Sequence, residues 1–469
     1  MSSATSSSAY LPKRAAILGF ARSGRALAAA LLDRGVEVSV GDSRAEAGAE
    51  GVEELRRRGA RFFFGGPSEA FLDQAELLAL SPGVPLTVPA VRAARSRGLP
   101  VLAEFEIAWR IAERESAGKN RWVAVTGTNG KSTTTAWIAD VLGRAGRPVA
   151  LAGNIGVPLS THLSDRSARD FVCELSSFQL ETVEEFSPDV AVLTNVTPDH
   201  LDRYAGFEDY AAAKERVFAK QESEDFAVVN EDDATARRAK MPARRVPFSR
   251  RGAVDGGAWV EDGMLVSAVA GPRRQVIAVG DLSLPGAHNV ENALATVCVA
   301  DCLGAPPEAI REGLARFPGL PHRMELVADA GGVRWVNDSK GTNVDATKKS
   351  LEGFAPATVI LILGGRDKHG DFGSLGPMAS RAARRVLTIG EAAETIERAL
   401  AGLVEIERSG TMDAAVARAA KIARSGDTVL LSPACASFDQ YGNFEERGAH
   451  FAGLARKAAS RMGEGADGS

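Results

Sequence analysis

The chain is short of the features that mark disulfide-rich, metal-clustered and membrane-spanning proteins. Its 469 residues include four cysteines, Cys173, Cys298, Cys302 and Cys435. None of them forms a C-x-x-C pair, so neither a disulfide scaffold nor a zinc or redox motif is favoured. No stretch approaches the roughly 18 consecutive apolar residues that a membrane-spanning helix needs. We therefore expect a protein without membrane insertion.

The sequence also lacks an excess of charge of one sign. Lysine and arginine number 56, aspartate and glutamate number 60, and the formal net charge is −4. Such a chain has no overall field that attracts polyanions, so nucleic acid is not expected as a partner. The first ten residues contain no basic segment followed by an apolar core, which argues against a signal peptide. We expect a cytoplasmic location.

Short apolar strands alternate with helical stretches along almost the whole chain, which predicts an α/β fold with largely parallel sheets and flanking helices. Breaks in this alternation predict three domains, residues 1–118, 119–320 and 321–469. Residues 240–285 are rich in Gly, Pro and Arg and predict a small antiparallel insert. The predicted strands are residues 15–18, 36–40, 77–80, 122–125, 171–173, 190–193, 226–229, 335–336, 359–363, 386–389 and 428–431.

The most informative segment follows the apolar strand at 122–125. A turn with two glycines leads into a helix that opens with a lysine and two hydroxyl residues: Gly127, Thr128, Asn129, Gly130, Lys131, Ser132 and Thr133. Glycines let backbone N–H groups converge on phosphate oxygens, and the helix N-terminus adds partial positive charge. Lys131 would reach the terminal phosphates, and Ser132 or Thr133 would ligate Mg²⁺. The spacing between the glycines is two residues shorter than in the standard phosphate-binding loop.

Two further candidates follow apolar strands. Glu174 comes directly after residues 171–173, and His200 comes shortly after residues 190–193. Ligand sites in open α/β sheets gather at the carboxyl ends of strands, so metal or substrate contact is predicted. The alternatives are a solvated charge for Glu174 and a structural or surface role for His200.

Lys214 lies on the apolar stripe of a predicted helix, together with Tyr210, Val217 and Phe218. A buried lysine tends to lose its charge, and a neutral amine can react with CO₂ to give a carbamate that is able to ligate Mg²⁺. The alternative is a lysine whose ammonium group extends into water.

Taken together, these segments resemble the Mur ligase family of ATP-dependent amide-forming enzymes of peptidoglycan precursor synthesis. The resemblance implies Rossmann-like first and last domains around a P-loop-like ATPase domain. Residues 431–441 and 443–448 favour the branch that adds D-glutamate to UDP-N-acetylmuramoyl-L-alanine. The other motifs that carry the resemblance are residues 126–133, 154–156, 174–181, 194–204, 288–292, 321–325 and 337–343.

The resemblance implies a role for each candidate residue. ATP would be bound by residues 127–133 together with Asn292, Arg323, Asp338 and Lys340. Lys131, His200 and Lys214 would be catalytic, and the Mg²⁺ ligands would be Ser132, Glu174, His200 and Lys214 as its carbamate. The partners would be two small-molecule substrates, UDP-N-acetylmuramoyl-L-alanine and D-glutamate, and the chain would act as a monomer. The implied substrate-binding residues are Phe20, Ala21, Asp42, Arg44, Ser81, Pro82, Gly83, Asn154, Thr342, Lys368, Ser437 and Phe444.

One position departs from the family pattern. The first loop usually reads G-x-G-x-S-G, and Ala21 stands where the middle glycine is expected. A methyl group at that point limits how closely the backbone can approach a ligand.

Two other function classes compete with this interpretation. Gly19 to Gly24 after a strand, with Asp42 some 23 residues on, is close to a dinucleotide-binding fingerprint and would suit an oxidoreductase. The segment lacks the middle glycine of that fingerprint, and an oxidoreductase would leave the role of Lys131 unexplained. A nucleotide-dependent switch is the third, and it would need no small-molecule pockets at Lys368 and Ser437.

Overall fold

The computed structural model describes residues 11–46, 50–66, 69–167, 169–199, 203–367 and 370–466. The chain forms two compact units, Met1–Phe317 and Pro318–Ser469. The first unit contains two sheets and the second contains one, so the predicted α/β architecture with three sheets is confirmed. The domain boundaries at 118/119 and 320/321 remain predictions. In the part of the chain described, no helix combines the length and apolar character needed to cross a bilayer.

The first sheet is fully parallel, with strand order β3-β2-β1-β4-β5. Its strands are β1 (Arg14–Leu18), β2 (Glu37–Gly41), β3 (Arg61–Phe63), β4 (Leu77–Leu80) and β5 (Val101–Ala103). Its helices are α1 (Arg22–Leu32), α2 (Val52–Arg57), α3 (Pro89–Ser96) and α4 (Glu104–Glu115). The middle strand β1 is almost entirely buried, as a parallel strand covered by helices on both faces should be.

The central sheet has nine strands in the order β14-β13-β12-β11-β10-β9-β6-β8-β7. Its parallel strands are β6 (Arg121–Thr126), β7 (Val149–Gly153), β8 (Asp170–Glu174), β9 (Val190–Leu193), β10 (Phe226–Asn230) and β11 (Arg244–Ser249). The helices are α5 (Lys131–Arg144), α6 (Ser177–Leu180), α7 (Phe207–Glu215), α8 (Ala234–Arg238), α9 (Ala287–Cys302) and α10 (Pro307–Arg316). Strand β6 pairs with both β8 and β9, so the carboxyl ends of these three strands lie side by side.

The antiparallel insert predicted at 240–285 is wrong over Arg244–Ser249, because β11 pairs in parallel with β10, and the rest of it extends the central sheet. Strand β13 (Met264–Ser267) pairs antiparallel with both β12 (Ala258–Glu261) and β14 (Arg274–Ala278). They continue the sheet because β12 pairs in parallel with β11.

The third sheet has the order β15-β16-β20-β17-β18-β19, and only its edge strand β15 runs antiparallel. Its strands are β15 (Glu325–Ala330), β16 (Val333–Asn337), β17 (Val359–Gly364), β18 (Ala383–Ile389), β19 (Ile406–Gly410) and β20 (Thr428–Leu431). Its helices are α11 (Val344–Glu352), α12 (Gly376–Ala382), α13 (Ala393–Leu400), α14 (Met412–Ile422) and α15 (Phe444–Ala466).

Candidate active site

A tight loop joins β6 to α5 and has the shape that the sequence predicts for a phosphate-binding loop. Gly127 has φ 145° and Gly130 has φ 81°, which is backbone that residues with a side chain rarely adopt. A Cβ atom added to Gly127 would overlap Thr194 Oγ1, and one added to Gly130 would overlap Asn292 Oδ1. The loop therefore requires glycine at both positions for conformation and for space.

Residues from outside the loop fix its shape. The Asn129 amide donates to Asn195 Oδ1 at 2.9 Å, and the Asn129 carbonyl accepts from Thr194 Oγ1 at 2.7 Å. Asn292 on α9, an implied ATP ligand, accepts a hydrogen bond at 3.1 Å from Thr134 Oγ1 in the first turn of α5. The backbone N–H groups at the start of α5 are thus held in place before any ligand binds.

Two lysines converge on one carbonyl oxygen of this loop. Lys131 Nζ donates to the carbonyl oxygens of Gly127 at 2.9 Å and Thr128 at 2.8 Å. Lys214 Nζ, on α7, donates to the same Gly127 oxygen at 2.7 Å. The structure therefore brings Lys131 and Lys214 together from positions 83 residues apart, as the sequence-based hypothesis required.

Lys214 is buried, with 2% of its surface exposed. The alternative in which its ammonium group extends into water is therefore wrong. Burial, followed by repulsion from Lys131, lowers the pKa of Lys214 to about 6, although Asp199 and Glu174 act in the opposite direction. The neutral amine is consequently the main form of this side chain at neutral pH.

Glu174 ends β8 and is also buried, so it is not a solvated strand-end charge. Its Oε1 atom accepts a hydrogen bond from Asn154 Nδ2 at 2.8 Å. Its Oε2 atom is buried without a hydrogen-bond partner among the residues described. An unsatisfied buried carboxylate oxygen is costly unless a cation binds it, and Mg²⁺ prefers oxygen ligands. Glu174 therefore fits the predicted metal site.

Lys131, Lys214 and Asn154 line a cavity of about 340 Å³ in the first unit. The turn after β4, which contains the predicted residues Pro82 and Gly83, forms part of its wall beside Lys131, Asn154 and Lys214. Several other residues line the cavity and were not predicted as site residues, namely Ser176, Ser177, Phe178, Asp199 and Tyr210. Their sequence signals were motif and position: Ser176, Ser177 and Phe178 lie within residues 174–181, Asp199 lies within 194–204, and Tyr210 lies on the stripe that contains Lys214.

The first loop is held closed by an acidic side chain from the second strand. Asp42 Oδ2 accepts from the Phe20 amide at 2.6 Å and from Arg44 Nη2 at 2.9 Å. Burial raises the pKa of Asp42, but these bonds outweigh it and lower the pKa to about 2. Ser81 Oγ donates to the Gly19 carbonyl at 2.7 Å. Ala21 has φ −89° in extended backbone, so this position does not require glycine for its conformation.

The second unit gathers three of the predicted nucleotide-binding residues. Burial raises the pKa of Asp338, whose Oδ2 atom accepts from Ser350 and Ser432 at 2.7 Å each. The positive charge of Arg323 lowers the pKa of Asp338 in part. The Arg323 Nε atom is buried without a hydrogen bond to any residue described. Lys340 Nζ lies 5.7 Å from the centre of the Phe444 ring.

Of the predicted D-glutamate residues, Thr342 and Ser437 lie on loops that a buried arginine connects, and Phe444 begins α15. Ser437 is buried, and Thr342 and Phe444 are half-buried. Arg447 donates to the Ser339 carbonyl at 2.9 Å, and to the carbonyls of residues 435 and 436 at 3.1 and 3.2 Å. Arg447 was not predicted as a site residue. Its position four residues before the buried Phe451 on α15 would have placed it on the apolar face.

Two predicted residues, His200 and Lys368, lie outside the residues that the structure describes. Their proposed metal and D-glutamate contacts therefore stay predictions.

Three Mur ligase domains match most of the chain. The Mur ligase middle domain matches residues 125–300, and the Mur ligase glutamate ligase domain matches residues 322–435. The N-terminal domain of MurD-like Mur ligases matches residues 13–103.

Curated relatives of high similarity carry one name, UDP-N-acetylmuramoylalanine–D-glutamate ligase. The protein of Acidobacterium capsulatum is 43% identical over 450 residues, which cover 94% of this chain and 96% of the relative. The protein of Anaeromyxobacter dehalogenans is 44% identical over 460 residues, with 95% and 98% covered.

Solved structures share the fold at lower sequence identity. The UDP-N-acetylmuramate–alanine ligase MurC of Thermotoga maritima has a TM-score of 0.60 at 20% identity, covering 96% of this chain and all of that one. MurF of Acinetobacter baumannii has a TM-score of 0.61 at 16% identity, covering 89% and 91%.

Proposed function

The chain belongs to the Mur ligase family, and we propose that it joins D-glutamate to UDP-N-acetylmuramoyl-L-alanine at the expense of ATP. This reaction forms an amide bond in the synthesis of peptidoglycan precursors. The observation that carries the proposal is the convergence of Lys131 and Lys214 on Gly127, in a cavity that Asn154 and the turn at Pro82 also line.

The loop at 127–130 and the start of α5 suit the triphosphate of ATP. Backbone N–H groups at a helix N-terminus attract phosphate oxygens. On ATP binding, Lys131 would exchange the carbonyls of Gly127 and Thr128 for the terminal phosphates. Asn292, Arg323, Asp338 and Lys340 would bind the remainder of the nucleotide. Arg323 suits this role because its buried Nε atom has a hydrogen-bonding capacity that the described residues leave unused.

Mg²⁺ fits the oxygen ligands that the start of α5 and the end of β8 supply. Ser132 at the start of α5 and the Oε2 atom of Glu174 would be ligands, and His200 is a further predicted one. The cation would supply positive charge that offsets the approach of a carboxylate to the triphosphate.

Lys214 suits carbamate formation because its amine is buried and mainly neutral above pH about 6. We propose that its Nζ atom bonds to CO₂ and releases a proton, giving an anion. That anion would join Glu174 in holding Mg²⁺, and it would remove the repulsion between Lys214 and Lys131.

The proposed reaction proceeds in two steps. The L-alanine carboxylate attacks the γ-phosphate of ATP, giving an acyl phosphate and ADP. The amine of D-glutamate then attacks the acyl carbonyl, and phosphate leaves as the amide forms. Lys131 would stabilise the charge on the transferred phosphoryl group, and the walls of the cavity would limit hydrolysis of the intermediate.

The substrate-binding residues are proposed on two parts of the chain. Phe20, Ala21, Asp42, Arg44 and the turn at 81–83 would bind the UDP portion, with Asn154 nearer the reacting carboxylate. Thr342, Lys368, Ser437 and Phe444 would bind D-glutamate. We propose that the chain acts as a monomer in the cytoplasm, where its small-molecule substrates would be found. Light scattering tests the monomer and should give a molar mass of about 49.3 kDa.

The oxidoreductase alternative is not supported, because residues 13–103 match the N-terminal domain of MurD-like Mur ligases. A direct test of the proposal incubates the chain with ATP, Mg²⁺ and a panel of UDP-muramoyl acceptors and amino acids, and identifies products by mass. The proposal predicts one main product, the L-alanine acceptor extended by D-glutamate. A main product with another amino acid, or ATP turnover without any acceptor, would contradict it.

A further inference from the structure

An ion-pair clamp lies beside the reaction cavity, formed by Glu181, Arg203 and Tyr204. Glu181 directly follows α6, and 14% of its side chain is exposed. Its carboxylate accepts from Arg203 Nε at 3.3 Å, from Arg203 Nη2 at 2.8 Å and from Tyr204 Oη at 2.5 Å. Burial and the Glu181 carboxylate both raise the pKa of Tyr204, so the tyrosine hydroxyl stays protonated and remains a donor. One carboxylate thus fixes two consecutive residues of another segment.

The clamp supports an aromatic wall, which consists of Phe178, Tyr204 and Tyr210. The Arg203 guanidinium lies over the Phe178 ring at 3.9 Å. The Phe178 and Tyr204 rings stack with centres 6.3 Å apart, and the Tyr204 and Tyr210 rings are 5.4 Å apart. Because Tyr204 belongs to both groups, a shift of the clamp is transmitted to the wall.

The aromatic wall faces the reacting groups. Phe178 and Tyr210 line the cavity that contains Lys131 and Lys214. The Lys214 Nζ atom lies 4.5 Å from the centre of the Tyr210 ring, and Tyr210 Oη lies 3.2 Å from Thr128 Oγ1 in the phosphate-binding loop. The wall therefore covers one side of Lys214 and meets the loop on which the triphosphate would sit.

We propose that Glu181 is a positioning residue of the ligase reaction, which holds the aromatic wall in place through Arg203 and Tyr204 and so excludes water from the acyl phosphate. The inference rests on the proposed function, because only a hydrolysable intermediate makes water exclusion matter. When water replaces D-glutamate, it attacks the acyl carbonyl and the carbon–oxygen bond to phosphate breaks. The acceptor carboxylic acid and phosphate are returned, and ATP is consumed without amide formation.

The test compares amide and ADP formed by the full-length chain and by E181Q, which removes the negative charge between Arg203 and Tyr204. Wild type should form about one amide per ADP. In E181Q the rate of amide formation should fall about tenfold, since small displacements at a reacting centre have effects of this size. ADP should then exceed amide at least about twofold, and the KM for ATP should change by less than about twofold, because the wall does not bind the nucleotide.

Two further variants separate positioning from folding. E184Q is the matched control, since Glu184 has a side chain 56% exposed, pairs with Arg110 at 3.4 Å and does not belong to the clamp. It should behave as wild type. Y204F keeps the stacked ring and removes the hydroxyl group that bonds to Glu181 and also interacts with Ser177. It should also form more ADP than amide and would carry the test if E181Q did not fold.

The outcomes are distinct. If wild type forms one amide per ADP and E181Q and Y204F keep the same ratio, the positioning role of Glu181 is overturned while the proposed function stands. Equal losses of amide and ADP in E181Q and Y204F, together with a lower melting temperature, would also overturn it, because unfolding does not change the ratio. Wild type that forms no amide from the proposed substrates would overturn the proposed function and this inference with it.

Discussion

At the scale of single residues, the site contains ionisable side chains that are buried or close to a group of like charge. Lys131 and Lys214 share the Gly127 carbonyl, and Glu174 keeps a buried oxygen unsatisfied. The sequence predicted the phosphate-binding loop because the strand, the glycines and the helix start are local signals that agree with one another. It did not predict that Asn292 packs against Gly130 from 162 residues away, since that contact exists only after the helix α9 has docked on the sheet.

The lowered pKa of Lys214 predicts how activity should depend on CO₂ and pH. Enzyme stripped of CO₂ should be weakly active and should recover when CO₂ is added. Because the folded-state pKa is about 6, the neutral amine fraction rises as pH increases through that value. The recovery rate at fixed dissolved CO₂ should therefore rise with pH and reach half its maximum near pH 6. Equal recovery rates at pH 5 and pH 8 would contradict carbamate formation on this amine.

Gly130→Ala should weaken ATP binding. The positive φ and the overlap with Asn292 Oδ1 impose strain of about 1–3 kcal/mol on the loop. The ATP concentration at half-saturation should rise about tenfold, measured by steady-state kinetics. Gly143→Ala on α5 is the matched control, since its added Cβ meets no atom within 4 Å, and it should stabilise the helix by about 0.5–1 kcal/mol. Similar kinetics in both variants would argue against a strained loop.

At the scale of elements, alternation of apolar strands and helices was enough to predict the parallel sheets. Buried strands such as β4 and β17 consist of nearly continuous apolar residues, and that signal is local. The position of β12–β14 in the central sheet could not be predicted from local sequence. These strands join the sheet through the pairing of Phe248 and Ser249 with Ala258 and Trp259. The Glu181 clamp could not be predicted either, because it joins residues that lie more than 20 positions apart in the sequence.

Helix α4 begins with a buried carboxyl group that should make stability depend on pH. Glu104 accepts hydrogen bonds from the Ser160 amide and hydroxyl, but burial dominates and raises its pKa to about 7 from the usual 4.5. The folded protein thus binds this proton more tightly than the unfolded chain, and its stability falls as pH rises from 4.5 to 7.

Glu104→Gln removes this titration. The stability of wild type relative to E104Q should decrease by about 3 kcal/mol between pH 4 and pH 8, measured by denaturant unfolding. Ser160→Ala, which removes a donor that favours the charged form, should make the decrease larger. A stability difference that stays constant with pH would show that Glu104 does not titrate in this range.

At the scale of the whole molecule, the proposed chemistry is distributed over two compact units. The first contains the phosphate-binding loop, both lysines and Glu174, and the second contains Asp338, Ser437 and Phe444. Order along the chain predicted this division of residues, because each group follows a strand of its own sheet. The proposed reaction needs a phosphoryl donor, an acid and an amine, and residues of both units are assigned to these substrates.

The most direct test of the account follows oxygen atoms through the reaction. The acceptor is prepared with ¹⁸O in its terminal carboxylate and incubated with the chain, ATP, Mg²⁺ and D-glutamate, and the released phosphate is analysed by mass. If the carboxylate attacks the γ-phosphate, one labelled oxygen appears in phosphate for each amide formed. Phosphate without label while amide accumulates would contradict the acyl phosphate, and with it the roles assigned to Lys131 and the cavity around it.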